Sequence, residues 1–221
     1  MWKNKIVSDF DLMNIPIKEN CEPLVSLRDF SKEIKIDIDE ITKKYDKLKK
    51  EECYVRESVA IMLSQAQSLL PKNHKIKIVD GFRSLKVQKI IYKTVSNEIK
   101  ERNPKLSKKM IELETNKWVA NPKTIPPHTT GGAIDITILN ELEEELDMGT
   151  EINSISKKSA TYSIKISKKA IRNRLILIKI MNKVGFKNYP LEWWHWSYGD
   201  RMWAYYTNKR FAVYGKVKKY L

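Results

Sequence analysis

The sequence predicts an α+β fold, in which a small and mainly antiparallel sheet carries the functional site and helices pack on one face. Three segments have apolar residues at helical spacing, and short alternating or β-branched runs lie between them. The helices and strands follow one another without a regular βαβ rhythm or a sequence repeat, which argues against a parallel α/β sheet.

The size and composition of the chain favour one folded domain over residues 1–221. Its 221 residues are enough for one sizeable core, and 42% of them are apolar. The first 50 residues read as an irregular arm of unclear role that ends in a charged, solvated helix within 36–52, and no chemistry is assigned to them.

The middle of the chain predicts two helices and a strand. Apolar residues at helical spacing predict a helix over 56–70, which stops at Pro71 because proline breaks helices. Ile76 and Ile78 alternate with lysines and predict a short strand that ends at Asp80 and Gly81. A second helix runs from Ser84 to the proline at 104.

The second half adds the strongest strand signal, the β-branched run 133–139. The acidic segment 141–149 is predicted as a loop or hairpin rim. A third helix begins after Ser167 and ends at Gly185, and its predicted inward positions are Ile171, Leu175, Ile178 and Met181. The segments 186–200 and 201–206 are both predicted as strands.

The net charge of +15 raises the question of an anionic partner. The lysines that produce this charge are scattered along amphipathic segments, and no arginine-rich block, zinc-finger signature or glycine-rich phosphate loop occurs in the sequence. We therefore interpret the charge as a solvated lysine-rich surface and expect neither nucleic acid nor membrane as a partner. The sequence indicates no oligomeric state.

The N-terminal residues and the cysteines bear on location. The first dozen residues are charged and lack the apolar region of a signal peptide, and no apolar run of about 18 residues occurs. Two cysteines, Cys21 and Cys53, suggest a reducing compartment rather than a disulfide framework. The expected location is the cytoplasm.

The three histidines carry the functional prediction. His74 lies in a turn and is expected to be inert. His128 precedes Asp135 by seven positions across two glycines, which allow the chain to bend so that both side chains meet. With His195 as a third ligand, this set matches a catalytic zinc site, which keeps a fourth position for water.

Glu192 lies three residues before His195 in the segment LEWWHW and is predicted to act as the base, not as a ligand. On an extended strand the two side chains would face opposite ways, so a turn or bulge is required between them. Trp193, Trp194 and Trp196 are expected to line the pocket and to exclude water from it.

Arg83, after the predicted strand 75–80, could stabilise the oxyanion of the attacked carbonyl, although alone it reads more readily as a surface residue or a partner of Asp80. A shell of two histidines and a carboxylate also accepts other divalent ions, including the iron of oxygenases. Glu192 and Arg83 favour hydrolysis, because oxygen chemistry does not require them.

Three motifs, DGFRS, HTTGGAID and EWWHW, occur in this order between residues 54 and 199 and resemble those of the D-alanyl-D-alanine dipeptidases of the vancomycin-resistance type. That family belongs to a superfamily of zinc peptidases with carboxypeptidases, phage endolysins and the hedgehog domain. The resemblance implies one zinc ion per chain, bound by His128, Asp135 and His195. It further implies Glu192 as the base and Arg83 as the oxyanion-stabilising residue.

Two positions depart from the family pattern and concern the substrate. Pro126 stands where the family usually has a serine, and Asn153 stands where the resistance dipeptidases have an aspartate that holds the substrate's amino group. We expect Asn153 and Trp194 to contact substrate, and an asparagine should hold an ammonium group less strongly than a carboxylate would.

The predicted function is therefore hydrolysis of D-Ala-D-Ala, or a similar D-amino-acid dipeptide, by zinc-bound water. Two alternatives stay open at this point. The same zinc site could serve a peptidoglycan carboxypeptidase or endopeptidase, which would cleave N-blocked peptides. The second alternative is a zinc-stabilised binding module without catalytic activity, which would have no use for Glu192.

Overall fold

The main sheet has five strands and confirms the predicted α+β class. In the computed structural model, which describes residues 6–48 and 52–217, the strands lie in the order β2, β4, β5, β7, β6. Their bounds are β2 Lys35–Ile36, β4 Lys75–Asp80, β5 Ala133–Leu139, β6 Lys187–Asn188 and β7 His195–Ser197. Only the β2 and β4 pair is parallel, and the other three pairs are antiparallel.

A second sheet joins β1 Leu24–Ser26 to β3 Tyr54–Arg56 in antiparallel register. The helices among the described residues are α1 Asp9–Met13, α2 Glu40–Asp46, α3 Glu57–Ser68, α4 Leu85–Arg102, α5 Lys108–Thr115, α6 Lys168–Lys183 and α7 Arg201–Tyr206. Short 3₁₀ turns occur at Leu27–Asp29, Pro127–Thr130 and Lys157–Ser159. None of the described helices combines the length and the apolar character that a bilayer-spanning helix requires.

The hydrophobic core lies between one face of the sheet and the helices α3 and α6. Ile134, Ile136 and Ile138, which alternate along β5, belong to it together with residues of both helices. All seven residues of β5 are buried, so the opposite face of this strand is covered as well. That opposite face presents Asp135.

The structure confirms most of the predicted elements. Strand β5 has the predicted bounds, Ser84 and Ser167 cap α4 and α6 through their side chains, and Gly185 follows α6 with a φ of 107°. The charged helix predicted in the arm ends earlier than expected, because Lys47 adopts a left-handed conformation. Its predicted continuation over residues 49–51 lies outside the described residues.

Two predictions about the second half are wrong. Residues 201–206 form the helix α7, not a strand, because the Asp200 side chain accepts the Trp203 amide and caps a helix there. The inward position predicted for Leu175 on α6 is also wrong. Leu175 is 52% exposed and Leu177 and Ile180 are buried instead, whereas Met181 is buried as predicted.

Buried Arg56 ties together distant parts of the chain. Its guanidinium lies 4.9 Å from the Tyr214 ring. Its N–H groups donate to the backbone carbonyls of Thr130 (2.8 Å), Gly215 (3.3 Å) and Glu22, and to the side-chain carboxylate of Glu19 (3.2 Å). These bonds connect the N-terminal arm, the Pro127–Thr130 turn and the C-terminal segment.

Replacing Arg56 by alanine is expected to lower the free energy of unfolding by about 3–5 kcal/mol, because the change removes one member of a buried, hydrogen-bonded charge network. Denaturant titration followed by circular dichroism measures this loss. Arg172→Ala is the matched control, since Arg172 is exposed on α6 and should change stability by less than about 0.5 kcal/mol. Equal effects of the two substitutions would contradict this role of Arg56.

Candidate active site

Strand register brings a carboxylate and an imidazole into contact at the centre of the sheet. Asp135 on β5 pairs directly with His195 on β7, and directly opposed residues face the same side of a sheet. The His195 Nδ1 atom lies 3.0 Å from Asp135 Oδ1. The next pair, Ile134 with Trp196, faces the hydrophobic core instead.

A third member joins this row from the other neighbouring strand. Asp80 at the end of β4 pairs with Asp135, although Ile78 pairs with the core-facing Ile136. The register shifts between Ile78 and Asp80, as it does at a β-bulge, and the shift turns Asp80 to the face of Asp135. Three polar residues therefore lie side by side across β4, β5 and β7.

His128 reaches the same point from the turn before β5. The 3₁₀ turn ends at Gly131, whose φ is +72°, and a Cβ on Gly132 would lie 2.4 Å from the Tyr198 carbonyl oxygen. This tight bend places His128 Nε2 at 3.4 Å from Asp135 Oδ2 and at 3.1 Å from His195 Nδ1. The structure thus brings together the three residues that the sequence grouped.

A hydrogen bond to the backbone determines which nitrogen of His128 faces the cluster as an acceptor. His128 Nδ1 lies 2.8 Å from the Gly81 carbonyl oxygen, which can only accept, so Nδ1 carries the proton and Nε2 presents its lone pair. His195 faces Asp135 with its Nδ1 atom, and its Nε2 atom lies 3.4 Å from Ser197 Oγ. Such outer contacts are typical of histidines that bind metals.

The three inward atoms have the spacing of a metal site. The two nitrogens lie 3.1 Å apart, and they lie 3.0 and 3.4 Å from the two oxygens of the Asp135 carboxylate, one nitrogen near each oxygen. Ligands about 2.0–2.1 Å from a tetrahedral zinc ion lie roughly 3.3–3.5 Å from one another. Burial opposes ionisation of Asp135, but His128 and His195 hold the pKa of this carboxyl well below its ordinary range. One charged oxygen and two nitrogens therefore fit a divalent ion such as zinc.

Glu192 lies next to the triad because a tight turn separates it from His195. The His195 amide donates to the Glu192 carbonyl at 3.3 Å, and Asn188 Nδ2 donates to the carbonyls of both residues at 2.9 Å. This is the turn that the sequence required. Burial raises the pKa of the Glu192 carboxyl well above its ordinary value, Asp135 adds to the rise, and His128 and Arg83 oppose it. A raised pKa makes a carboxylate a stronger base, which suits a group that accepts and returns a proton.

Arg83 is held in place by two side chains. Its Nη1 donates to Asp80 Oδ2 at 2.7 Å, and its Nε donates to Gln88 Oε1 at 2.9 Å. A guanidinium has five N–H donors, so these two bonds leave others for a ligand. From the sequence, Arg83 could be either an ion-pair partner of Asp80 or a residue of the site. In the structure Arg83 forms the ion pair with Asp80 and also lines the cavity.

One small cavity of about 110 Å³ joins these side chains. Its walls include all seven residues predicted for the site: Arg83, His128, Asp135, Asn153, Glu192, Trp194 and His195. An adjoining cavity of about 450 Å³ shares Arg83, Asn153, Glu192 and Trp194 with it. The prediction that all three tryptophans line the pocket is wrong, because Trp193 and Trp196 are buried in the core and only Trp194 belongs to the cavity wall.

A buried arginine positions the loop that carries Asn153. The Arg174 guanidinium donates to the carbonyls of Met148 (2.7 Å), Ala160 (2.7 Å) and Lys158 (3.0 Å) and lies 5.7 Å from a Trp193 ring. Asn153 itself has a φ of +64°, a left-handed conformation that asparagine tolerates well.

The N-terminal arm, to which the sequence assigned no chemistry and no clear role, contributes residues to the cavity wall. Val7, Asp9 and Leu12 form part of the wall, together with Asn116, whose Nδ2 donates to Asp9 Oδ2 at 3.0 Å. No pattern in the arm signals this role, because the contact depends on tertiary packing: α1 packs against α7.

Known proteins with similar sequences are D-alanyl-D-alanine dipeptidases. A family model described as D-ala-D-ala dipeptidase, Peptidase M15, matches residues 25–216. A D-alanyl-D-alanine dipeptidase of Synechocystis sp. is 31% identical over 191 residues, which are 75% of this chain and 77% of that protein. The Escherichia coli protein of the same name is 39% identical over 70 residues, which are 32% of this chain and 36% of that protein. The Enterococcus faecalis protein of the same name is 32% identical over 90 residues, which are 40% of this chain and 43% of that protein.

Two solved structures show weaker similarity. A mutant of the vancomycin resistance D,D-pentapeptidase VanY in complex with Zn(II) has a TM-score of 0.45 and 15% identity, covering 72% of this chain and 79% of that one. VanYB in complex with D-alanine-D-alanine has a TM-score of 0.44 and 16% identity, covering 71% and 78%. Similarity at this level gives no correspondence between individual residues.

The triad predicts that the protein binds one zinc ion per chain and that His195→Ala weakens this binding by at least 100-fold, because a ligand nitrogen is removed. Isothermal titration calorimetry with zinc on metal-free protein measures both quantities. His74→Ala is the matched control, since His74 lies in the turn before β4 and should leave affinity unchanged. Zinc binding that survives in the His195 variant would place the metal elsewhere.

Proposed function

The chain belongs to the D-Ala-D-Ala dipeptidase family of Peptidase M15, and on this basis we propose that it is a zinc-dependent dipeptidase that hydrolyses D-alanyl-D-alanine or a similar D-amino-acid dipeptide. One observation carries the proposal. The three inward atoms of His128, Asp135 and His195 lie within 4.8 Å of one another in the same cavity as Glu192 and Arg83.

Proton transfer is the proposed role of Glu192. A bound zinc ion would lower the pKa of a water molecule to about 7 and polarise the scissile carbonyl. Glu192 accepts a proton from the attacking water and returns it to the nitrogen of the leaving D-amino acid as the peptide bond breaks. Its partly desolvated carboxyl supports both halves of this transfer.

Arg83 is proposed to stabilise the negative charge that develops on the attacked carbonyl oxygen. Asp80 and Gln88 fix the guanidinium through Nη1 and Nε, so its other N–H groups do not need to be reoriented during the reaction. Donors that are held in position before charge develops are more effective than mobile ones. In this arrangement Asp80 acts as a positioning residue.

The size of the cavity favours a small substrate. A space of about 110 Å³ corresponds to several water molecules at about 10–15 Å³ each, which suits a dipeptide better than a wall polymer. Asn153 and Trp194 are proposed to contact this substrate. Hydrolysis of a D,D-dipeptide would deplete a precursor of cell-wall assembly. This chemistry is compatible with three physiological roles: antibiotic resistance, wall recycling and nutrient salvage.

The adjoining 450 Å³ cavity favours one alternative, a D,D-peptidase that acts on longer wall peptides. It shares Glu192, Arg83, Asn153 and Trp194 with the smaller cavity, so a longer chain could extend from the reaction centre into it. Faster cleavage of an N-blocked peptide ending in D-Ala-D-Ala than of the free dipeptide would favour this alternative.

Glu192→Gln is expected to lower release of D-alanine from D-Ala-D-Ala by about 10²–10⁴-fold while zinc remains bound, because the amide cannot accept the proton. Steady-state kinetics of zinc-loaded protein measures the activity, and metal analysis of the same samples measures the zinc content.

Glu141→Gln serves as the control for this experiment, since Glu141 is exposed in the acidic turn after β5 and should retain full activity. Full activity in the Glu192 variant would contradict the assigned base. A wild-type protein that binds zinc but releases no D-alanine would contradict the dipeptidase function itself.

A further inference from the structure

The cavity contains one carboxylate that the proposed mechanism does not use. Among the described residues, three carboxylates line its wall: Asp9, Asp135 and Glu192. Asp135 lies within 3.4 Å of both histidines, and Glu192 is assigned to proton transfer. Asp9 has no part in either task.

Asp9 is held in a defined position. It is the first residue of α1, which begins at the capping residue Ser8, and its Oδ2 accepts a hydrogen bond from Asn116 Nδ2 at 3.0 Å. Asn116 Oδ1 in turn accepts the Tyr92 hydroxyl at 2.7 Å, and Asn116 lines the same cavity. The carboxylate is therefore oriented by a chain of side chains before any ligand enters.

The rest of the fold anchors the segment that carries Asp9. Helix α1 packs against α7, and Arg201 Nε donates to the Ile15 carbonyl at 2.9 Å. Further along, Ile17 forms a β-bridge with Ala212. The arm thus behaves as a fixed wall of the site.

The surroundings of Asp9 favour an incoming cation. Burial raises the pKa of its carboxyl, and the nearby Glu112 carboxylate raises it further. Within the described part of the chain, no lysine or arginine forms an ion pair with it. A positively charged group in the cavity would therefore stabilise the Asp9 carboxylate without displacing a lysine or arginine among the described residues.

A free dipeptide brings such a group to the required place. Its ammonium nitrogen is two bonds from the attacked carbonyl carbon, roughly 2.5 Å away, so the partner of the ammonium must line the reaction cavity. Asn153 offers this cavity wall an amide without charge. Charge-assisted hydrogen bonds are about twice as strong as neutral ones.

We propose that Asp9 binds the free ammonium group of the substrate and makes the enzyme selective for dipeptides with an unblocked N-terminus. The inference rests on the proposed dipeptidase function and adds a specificity residue to it. It also gives the N-terminal arm a function, because the arm supplies a charge that Asn153 does not provide.

The test compares D-Ala-D-Ala with N-acetyl-D-Ala-D-Ala for the zinc-loaded wild-type protein and for Asp9→Asn. The isosteric amide can still accept the bond from Asn116. We expect kcat/KM for the free dipeptide to fall by roughly 10- to 100-fold in the variant, mainly through a rise in KM, since the ammonium is bound in the ground state and the transition state alike.

Cleavage of the acetylated peptide should change by less than about threefold, so the preference for the free dipeptide should shrink by the same 10- to 100-fold. Asp11→Asn is the matched control: it removes the same charge from the same helix at a residue outside the cavity wall, and it should keep the wild-type preference.

Three results would overturn the proposal. An Asp9→Asn variant that loses activity on both substrates equally would show a structural role, and one that keeps full activity on the free dipeptide would show no role. In both cases an active wild-type protein leaves the dipeptidase function intact. A zinc-loaded wild-type protein that cleaves neither substrate would remove the dipeptidase function, and with it this inference.

Discussion

The direct pairing of Asp135 with His195 across β5 and β7 is the constraint on which the site depends. It fixes an oxygen and a nitrogen 3.0 Å apart on the face of the sheet that points away from the hydrophobic core. The bend at Gly131 then adds His128, and the tight turn before β7 adds Glu192. A register slip of one residue would turn the isoleucines of β5 to the cavity and Asp135 into the core.

Buried polar contacts connect this centre to the periphery. Asp80 stands in the same row and orients Arg83, Arg174 holds the loop of Asn153, and Arg56 joins the turn of His128 to the arm and the C-terminal segment. Each arginine donates to backbone carbonyls or to a buried carboxylate, which fixes irregular segments that a small sheet alone could not hold. The site is therefore supported by contacts far from His128, Asp135 and His195.

The sequence was informative where chemistry depends on local spacing. The seven-residue interval between His128 and Asp135, the two glycines and the Glu192 to His195 interval all predicted contacts that the structure contains. The sequence did not predict the features of the site that depend on tertiary contacts. Nothing local distinguishes Trp194, which lines the cavity, from Trp193 and Trp196 in the core. Likewise, Asp200 as a helix cap outweighed the aromatic pattern of residues 201–206, and Asp9 enters the site only through packing of α1 on α7.

The proposed metal site is tested most directly by the position of zinc in crystals of the zinc-loaded protein, located by anomalous scattering at the zinc edge. The proposed site predicts one strong peak about 2.0–2.2 Å from His128 Nε2, His195 Nδ1 and an Asp135 carboxylate oxygen, with Glu192 outside bonding distance. A peak at another place, or a fourth bond from Glu192 that closes the shell, would contradict it.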